Sequence, residues 1–223
     1  MTEGSSPQVS NKDPKSALQA AFSNSDRVTA DVIAKKAART NDADTLREAL
    51  RLGANPQDYV IQALSTSSGW PDAYLCLLEA GLDVNYHFPG YMGNALIVAC
   101  KYGQAEIVRV LLSRGADPNL EGVGYGGPEK LGALAGAAEC FKKEAGVKAM
   151  RLLLDAGAEA RGSGALQVAA KWGHLERVKI LIEDAKVDVR DVNPRLGGTA
   201  TSLAREHKRG EVLEYLEGLG GTD

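Results

Sequence analysis

An apolar pair, two further residues and a glycine recur along the chain, as Leu77-Leu78 before Gly81, Leu111-Leu112 before Gly115 and Leu153-Leu154 before Gly157. Related stations stand at Ala49-Leu50 before Gly53, at Leu181-Ile182 before a turn one residue longer at Ala185-Lys186, and at Leu216. Counted from Ala49, Leu77, Leu111, Leu153, Leu181 and Leu216, the spacings are 28, 34, 42, 28 and 35 residues, near 33 on average. A period of that length means one supersecondary unit repeated, each copy too small to bury its own apolar face and therefore stacked on the next. Each glycine can take the left-handed backbone that closes a helix.

Within a unit, a short Ala-rich helix (Ala37-Ala38, Ala99, Ala169-Ala170) precedes a Leu/Val-rich one, and the small residues let neighbouring helices approach closely. The stretch Ala95 to Gly103 running on through Gly115-Ala116-Asp117-Pro118-Asn119, together with Ala165 to Leu181, resembles the ankyrin repeat family in its paired helices and its Gly-Ala-Asp-x-Asn exit. The resemblance implies an all-α solenoid of ankyrin-type helix-turn-helix units with finger loops. About six units are expected, near 28–55, 58–85, 93–119, 131–160, 164–190 and 198–219, in an array spanning 26–223. Residues 1–25, rich in Ser, Asn, Asp and Pro, read as a poorly ordered tail.

The chain departs from the family in several places. The Thr-Pro-Leu-His tetrapeptide that ties the family's loops is nowhere intact: Gly93-Asn94-Ala95-Leu96-Ile97 replaces it in the third unit, and Thr199 alone resembles it in the sixth. The first helix is expected to start at Thr29 or Asp31, and Pro71 to open the second unit's second helix after an eroded Ser65 to Trp70 turn. The fourth unit carries about four extra residues, Phe141-Lys142-Lys143-Glu144, and a Gly-rich approach from Glu121 to Pro128. The sixth is charged, with Lys208, Arg209, Glu211, Glu214 and Glu217, as a solvent-facing cap requires.

Twenty-six Lys and Arg against 29 Asp and Glu leave a net charge of -3, which gives no electrostatic reason to expect nucleic acid or an anionic membrane surface. No stretch reaches the roughly 18 apolar residues of a membrane span, and the N-terminus lacks the apolar core of a signal peptide, so the cytoplasm or nucleus is the expected location. Cys76, Cys100 and Cys140 lack the paired spacing of a metal or disulfide framework and read as buried thiols. Neither a cofactor nor a metal is expected.

In the family, finger loops and exposed positions of the first helix line a concave surface that selects a protein or peptide partner. Carried over to this chain, the exposed pairs are Lys101-Tyr102, Glu139-Cys140, Lys171-Trp172 and Glu206-His207 in the third to sixth units. Stacked, they form a ladder whose Tyr, Trp and His beside Lys and Glu have the composition of binding hot spots. The same Tyr102 and Trp172 would serve equally to cover junctions between units. The fingers add Tyr91 and Tyr125, and Asn193 to Leu196; Phe88, Tyr91 and Met92 either pack on the next finger or meet a partner.

The partner-contact candidates are therefore Tyr91, Lys101, Tyr102, Tyr125, Glu139, Lys171, Trp172 and His207. A second reading places Tyr102, Glu139, Trp172 and His207 around a pocket for a small apolar molecule, where an acid, a base and aromatic walls would suit proton transfer. His174, in Gly-His-Leu-Glu, matches the family's structural histidine at the turn between helices. Ser163 lacks a nucleophile elbow, and the 122–128 glycines lack the Lys-Ser/Thr of a phosphate loop.

Overall fold

A computed structural model of the chain describes residues 27–88, 93–123 and 130–221. The expected tail at 1–25, Tyr91, Met92 and Tyr125 lie outside the described residues. The helices pair into six units. Helices α1 (Arg27–Thr40) and α2 (Ala43–Arg51) make the first, α3 (Tyr59–Ser68) and α4 (Pro71–Glu79) the second, and α5 (Ala95–Lys101) and α6 (Ala105–Ser113) the third. Helices α7 (Ala133–Glu139) and α8 (Lys143–Asp155), α9 (Ala165–Trp172) and α10 (Leu175–Lys179), then α11 (Ala200–Glu206) and α12 (Gly210–Gly218) complete the array. Antiparallel ribbons β1 (Glu121–Val123) with β2 (Lys130–Gly132), and β3 (Val192–Asn193) with β4 (Gly198–Thr199), rise before the fourth and sixth units.

The first helices pack in sequence as one layer, α1 to α11 in odd numbers, and the second helices as another, so the core is continuous while contacts stay between neighbours. Small residues make this possible: Ala99, Ala135, Ala137, Ala138, Ala169, Ala170 and Ala204 are fully buried or nearly so. At Gly136 a Cβ would stand 3.2 Å from the Ile97 carbonyl oxygen, so α7 lies against α5 backbone to backbone. The second layer supplies bulk. Leu77, Leu111 and Leu153, the residues that mark the repeat, are completely buried, and each contributes about 1.5–3 kcal/mol of burial.

Termination follows one design. Leu82 donates its backbone N–H to Leu77, Ala116 to Leu111 and Ala158 to Leu153 at 2.9–3.0 Å, with Gly81, Gly115 and Gly157 in the left-handed region between. The fifth unit absorbs its extra residue differently. Helix α10 continues as a π-helical turn over Ile180–Asp184, and Lys186, at φ 56°, takes the left-handed position that glycine fills elsewhere.

One local expectation is corrected. Helix α1 is already formed at Arg27, ahead of Thr29 and Asp31, and the Asp31 carboxylate instead accepts the Asn55 N–H at 2.8 Å, binding the unit's exit to its first helix. The broken tetrapeptide does not leave the loops untied. Asn94 caps α5 by accepting the Ile97 N–H at 3.0 Å, Thr199 caps α11 by accepting from Ser202 at 3.1 Å, and buried Gln167 donates to the Asp191 carbonyl at 2.6 Å. Pro71 opens α4, where its missing N–H costs no hydrogen bond.

Candidate functional site: an aromatic edge across units three to six

Each first helix ends in a turn toward its partner helix, and these turns, 101–104, 139–143, 171–174 and 206–209, follow one another along the stack. Side chains fasten each to the next. Between the third and fourth units, Lys101 pairs with Glu139 at 3.2 Å. Between the fourth and fifth, Phe141 meets Trp172 edge to face, centroids 5.2 Å apart and planes at 80°. Between the fifth and sixth, Arg209 donates through Nε to the Lys171 carbonyl at 2.9 Å and leans on Gly173, which holds the left-handed closure of α9.

Exposure differs along this edge. Tyr102, at the C-cap of α5, is 42% exposed and Phe141 is 72% exposed, while Glu139, Lys171, Trp172 and His207 are partly buried. Cys140 departs from the expected exposed pair: it is buried beneath Gly103, with its thiol 3.6 Å from the Lys142 carbonyl. The reason is the insertion, which turns the chain at Cys140 and puts Phe141 outside in its stead. In the sequence Phe141 is marked only as part of the inserted stretch, and an aromatic between a cysteine and two lysines is the signal that it carries.

The insertion has a second consequence. Counted back from the Leu-Leu pairs, Gly146 falls where Gln104 precedes α6, so Lys143 to Ala145 begin an additional turn at the start of α8. Arg177 of α10 anchors that turn. It is 1% exposed and heads the fully buried side chains in size, and it stands where α6 has the buried Ile107. Its Nη1 donates to the Ala138 carbonyl at 2.9 Å and its Nη2 to the carbonyls of Lys142 and Lys143 at 3.3 and 3.2 Å. The cation thus closes the C-terminal end of α7, where a positive charge is favoured. A Cβ at Gly146 would collide with the guanidinium, so this glycine makes room for the arginine. Burial lowers the Arg177 pKa, with Cys140 and Glu176 acting in the opposite direction.

His174 sits at the N-cap of α10, as its structural reading anticipated, and Arg177 is three residues on. Burial first, and the Arg177 charge second, bring its imidazole down to about 4 against the pull of a hydrogen bond with the Glu139 backbone. The ring is neutral at physiological pH. Its Nε2 is buried without a hydrogen-bond partner among the described residues.

On the other side of the stack the fingers are locked together. Glu121 of β1 pairs with Arg195 of the β3–β4 turn at 2.7 Å, Asn193 donates to the Gly162 carbonyl at 2.8 Å, and Leu131 and Leu196 close over Gly164. Phe88 is fully buried, its ring centroid 6.5 Å from that of Tyr86 and its N–H bonded to the Gly93 carbonyl at 2.7 Å, so its side chain is packed into the array and not free to meet a partner. Two open depressions, of about 320 and 350 Å3, lie along the second-helix side, beside Glu106 and Lys148 and beside Arg151 and Asp184. Neither is lined by Tyr102, Glu139, Trp172 or His207. No helix among the described residues is long and apolar enough to cross a membrane.

The sequence agrees with this architecture under comparison with known families. A family model of three ankyrin repeat copies matches residues 34–121, a single ankyrin repeat matches 161–192, and together they account for just over half the chain. Ankyrin repeats are generally protein-interaction modules. From the repeat spacing, the two-layer stack of helix pairs and these matches, the chain is a member of the ankyrin repeat family.

Proposed function

We propose that this chain is a protein-interaction module, of scaffold, adaptor or inhibitor type, that holds a protein or peptide across its third to sixth units. The observation carrying this reading is the aromatic edge. Among the described residues, Tyr102 and Phe141 leave large apolar surface exposed, on turns tied to one another by the Lys101–Glu139 pair and the Phe141–Trp172 contact. An anchor of that kind, ringed by Lys and Glu, is the composition in which interface energy concentrates, and its prior rigidity lowers the ordering cost of binding.

Selection of ligands for the folded chain from an unbiased peptide display library tests the reading. Selected ligands are expected to bind the chain, to protect α5, α7, α9 and the intervening turns from amide exchange, and to lose at least tenfold in affinity to the double variant Tyr102→Ala/Trp172→Ala. Circular dichroism and a cooperative melt establish that the variant is folded. Protection confined to the second-helix layer, or full affinity in a folded double variant, overturns it.

A further inference from the structure

We infer, on the interaction reading above, that Arg177 is the positioning residue of the aromatic edge: from beneath, it sets where Phe141 stands against Trp172, and so how tightly a protein or peptide is held there. At 1% exposed it lies out of a partner's reach. The fifth unit holds the inserted turn from two sides. Trp172, the last residue of α9, meets the Phe141 ring from outside, centroids 5.2 Å apart. Arg177 of α10 holds the backbone, its guanidinium bonded to the carbonyls of Ala138, Lys142 and Lys143, which lie on both sides of Phe141 in the chain. Phe141, 72% exposed, is thus the apex of a loop whose two ends converge on one buried cation.

Packing alone does not fix that apex. On the third-unit side the turn rests on Gly103, around which the Cys140 thiol, the Ala145 methyl and the Lys142 stem gather. Contacts of that kind hold a distance, whereas hydrogen bonds weaken steeply away from linearity and hold a direction as well. The planar guanidinium presents its donors in a fixed fork. Bonded to both ends of the loop at once, it sets their separation and tilt, and with them the path of the chain through Phe141.

Stability alone gives little reason for a cation in this slot. The same register in α6 is filled by the fully buried Ile107. Buried ionic groups exchanged for well-packed apolar side chains of similar volume often cost no stability. What the guanidinium adds over an isoleucine is one geometry for the turn. Gly146, whose missing Cβ leaves the space that the guanidinium fills, belongs to the same device. An aromatic fixed in this way before binding loses less freedom when a partner covers it.

Fluorine NMR of the full chain labelled with fluorotryptophan tests this without a partner, because Trp70 and Trp172 are the chain's two tryptophans and Trp172 is assigned by the loss of its signal in Trp172→Phe. Phe141→Leu gives the position of the Trp172 resonance with the ring contact removed. Arg177→Met, which keeps most of the volume and removes the donors, and Gly146→Ala, which crowds the guanidinium, should each move the resonance toward that position while the Trp70 resonance stays. Leu77→Ala, a buried truncation in the second unit, should lower the urea midpoint and leave the Trp172 resonance where it is. A peptide selected from the display library on the native chain should bind folded Arg177→Met at least about fivefold more weakly, the ordering cost of roughly one side chain. Gly146→Ala carries the same two measurements if Arg177→Met does not fold. A Trp172 resonance unmoved in either folded variant, a move as large in Leu77→Ala, or full affinity in folded Arg177→Met overturns the inference. If the resonance moves but the library yields no peptide, the interaction reading falls while the positioning of Phe141 by Arg177 stands.

Discussion

Two junctions between neighbouring units solve the same problem by opposite means. Where α5 meets α7 the buried contact is made of small groups: Ala99, Ala135 and Gly136 bring backbones together, and the Lys101–Glu139 ion pair between these helices lies at the rim. Where the fourth unit meets the fifth at the turn edge, an inserted stretch breaks the regular turn, and a buried guanidinium gathers the carbonyls of Ala138, Lys142 and Lys143. The first arrangement tolerates exchange among small residues. The second depends on one side chain, because among the described residues its acceptors are neutral carbonyls and a buried charge deprived of them has no compensation.

The largest effect that follows is at Arg177. Arg177→Ala removes three hydrogen bonds from a charged donor, orphans the Ala138 carbonyl and leaves a cavity the size of a long side chain, and it is expected to cost about 4 kcal/mol in urea unfolding. Loss of the added turn should show as rapid amide exchange at 141–147 while α5 and α6 stay protected. A loss below about 1 kcal/mol would mean that the turn edge is no more dependent on one residue than the α5–α7 junction.

The contrast between junctions is also a contrast in what the sequence discloses. Repeat length, paired helices and glycine closures are legible because they recur, and each recurrence is a separate instance of the same steric rule. The Lys101–Glu139 pair follows from stacking equivalent positions. Arg177 and Phe141 were not legible because each acts once: one occupies an apolar slot next to an inserted turn, the other becomes exposed because the chain reverses at Cys140. A charged residue in the Ile107 register and a glycine inside α8 were the two signals, and neither has meaning until they are seen to touch.

The next effect is a pH dependence at the same edge. His174 has its folded value depressed to about 4 from 6.5, so between those limits the unfolded chain binds the proton the folded chain refuses. Stability contributed by the neutral ring is complete above pH 6.5 and is lost as pH falls toward 4, on the order of 2–3 kcal/mol. His174→Gln should flatten that part of the profile relative to the native chain. In Arg177→Ala the neighbouring charge is gone and the site is wetter, so the histidine should titrate closer to 6.5, followed by proton NMR of the ring. A histidine that titrates identically in both would separate it from the arginine's site.

The smallest effects give the sharpest contrast, because they compare two mid-helix glycines. Replacing Gly by Ala within a helix is worth about 1 kcal/mol in favour of Ala when space allows. At Gly146 space does not allow: the methyl would displace the Arg177 guanidinium, and Gly146→Ala should destabilise the native chain by about 1–2 kcal/mol. In the Arg177→Ala background the obstacle is absent, and the same substitution should stabilise by up to about 1 kcal/mol. Gly136→Ala meets the fixed Ile97 carbonyl at 3.2 Å, a contact that Arg177 does not touch, so its effect should be the same in both backgrounds to within about 0.5 kcal/mol. Sign reversal at Gly146 together with additivity at Gly136, from urea unfolding of the six chains, would place the difference between the two junctions in the guanidinium itself. Additivity at both would place it in the backbone of the inserted turn.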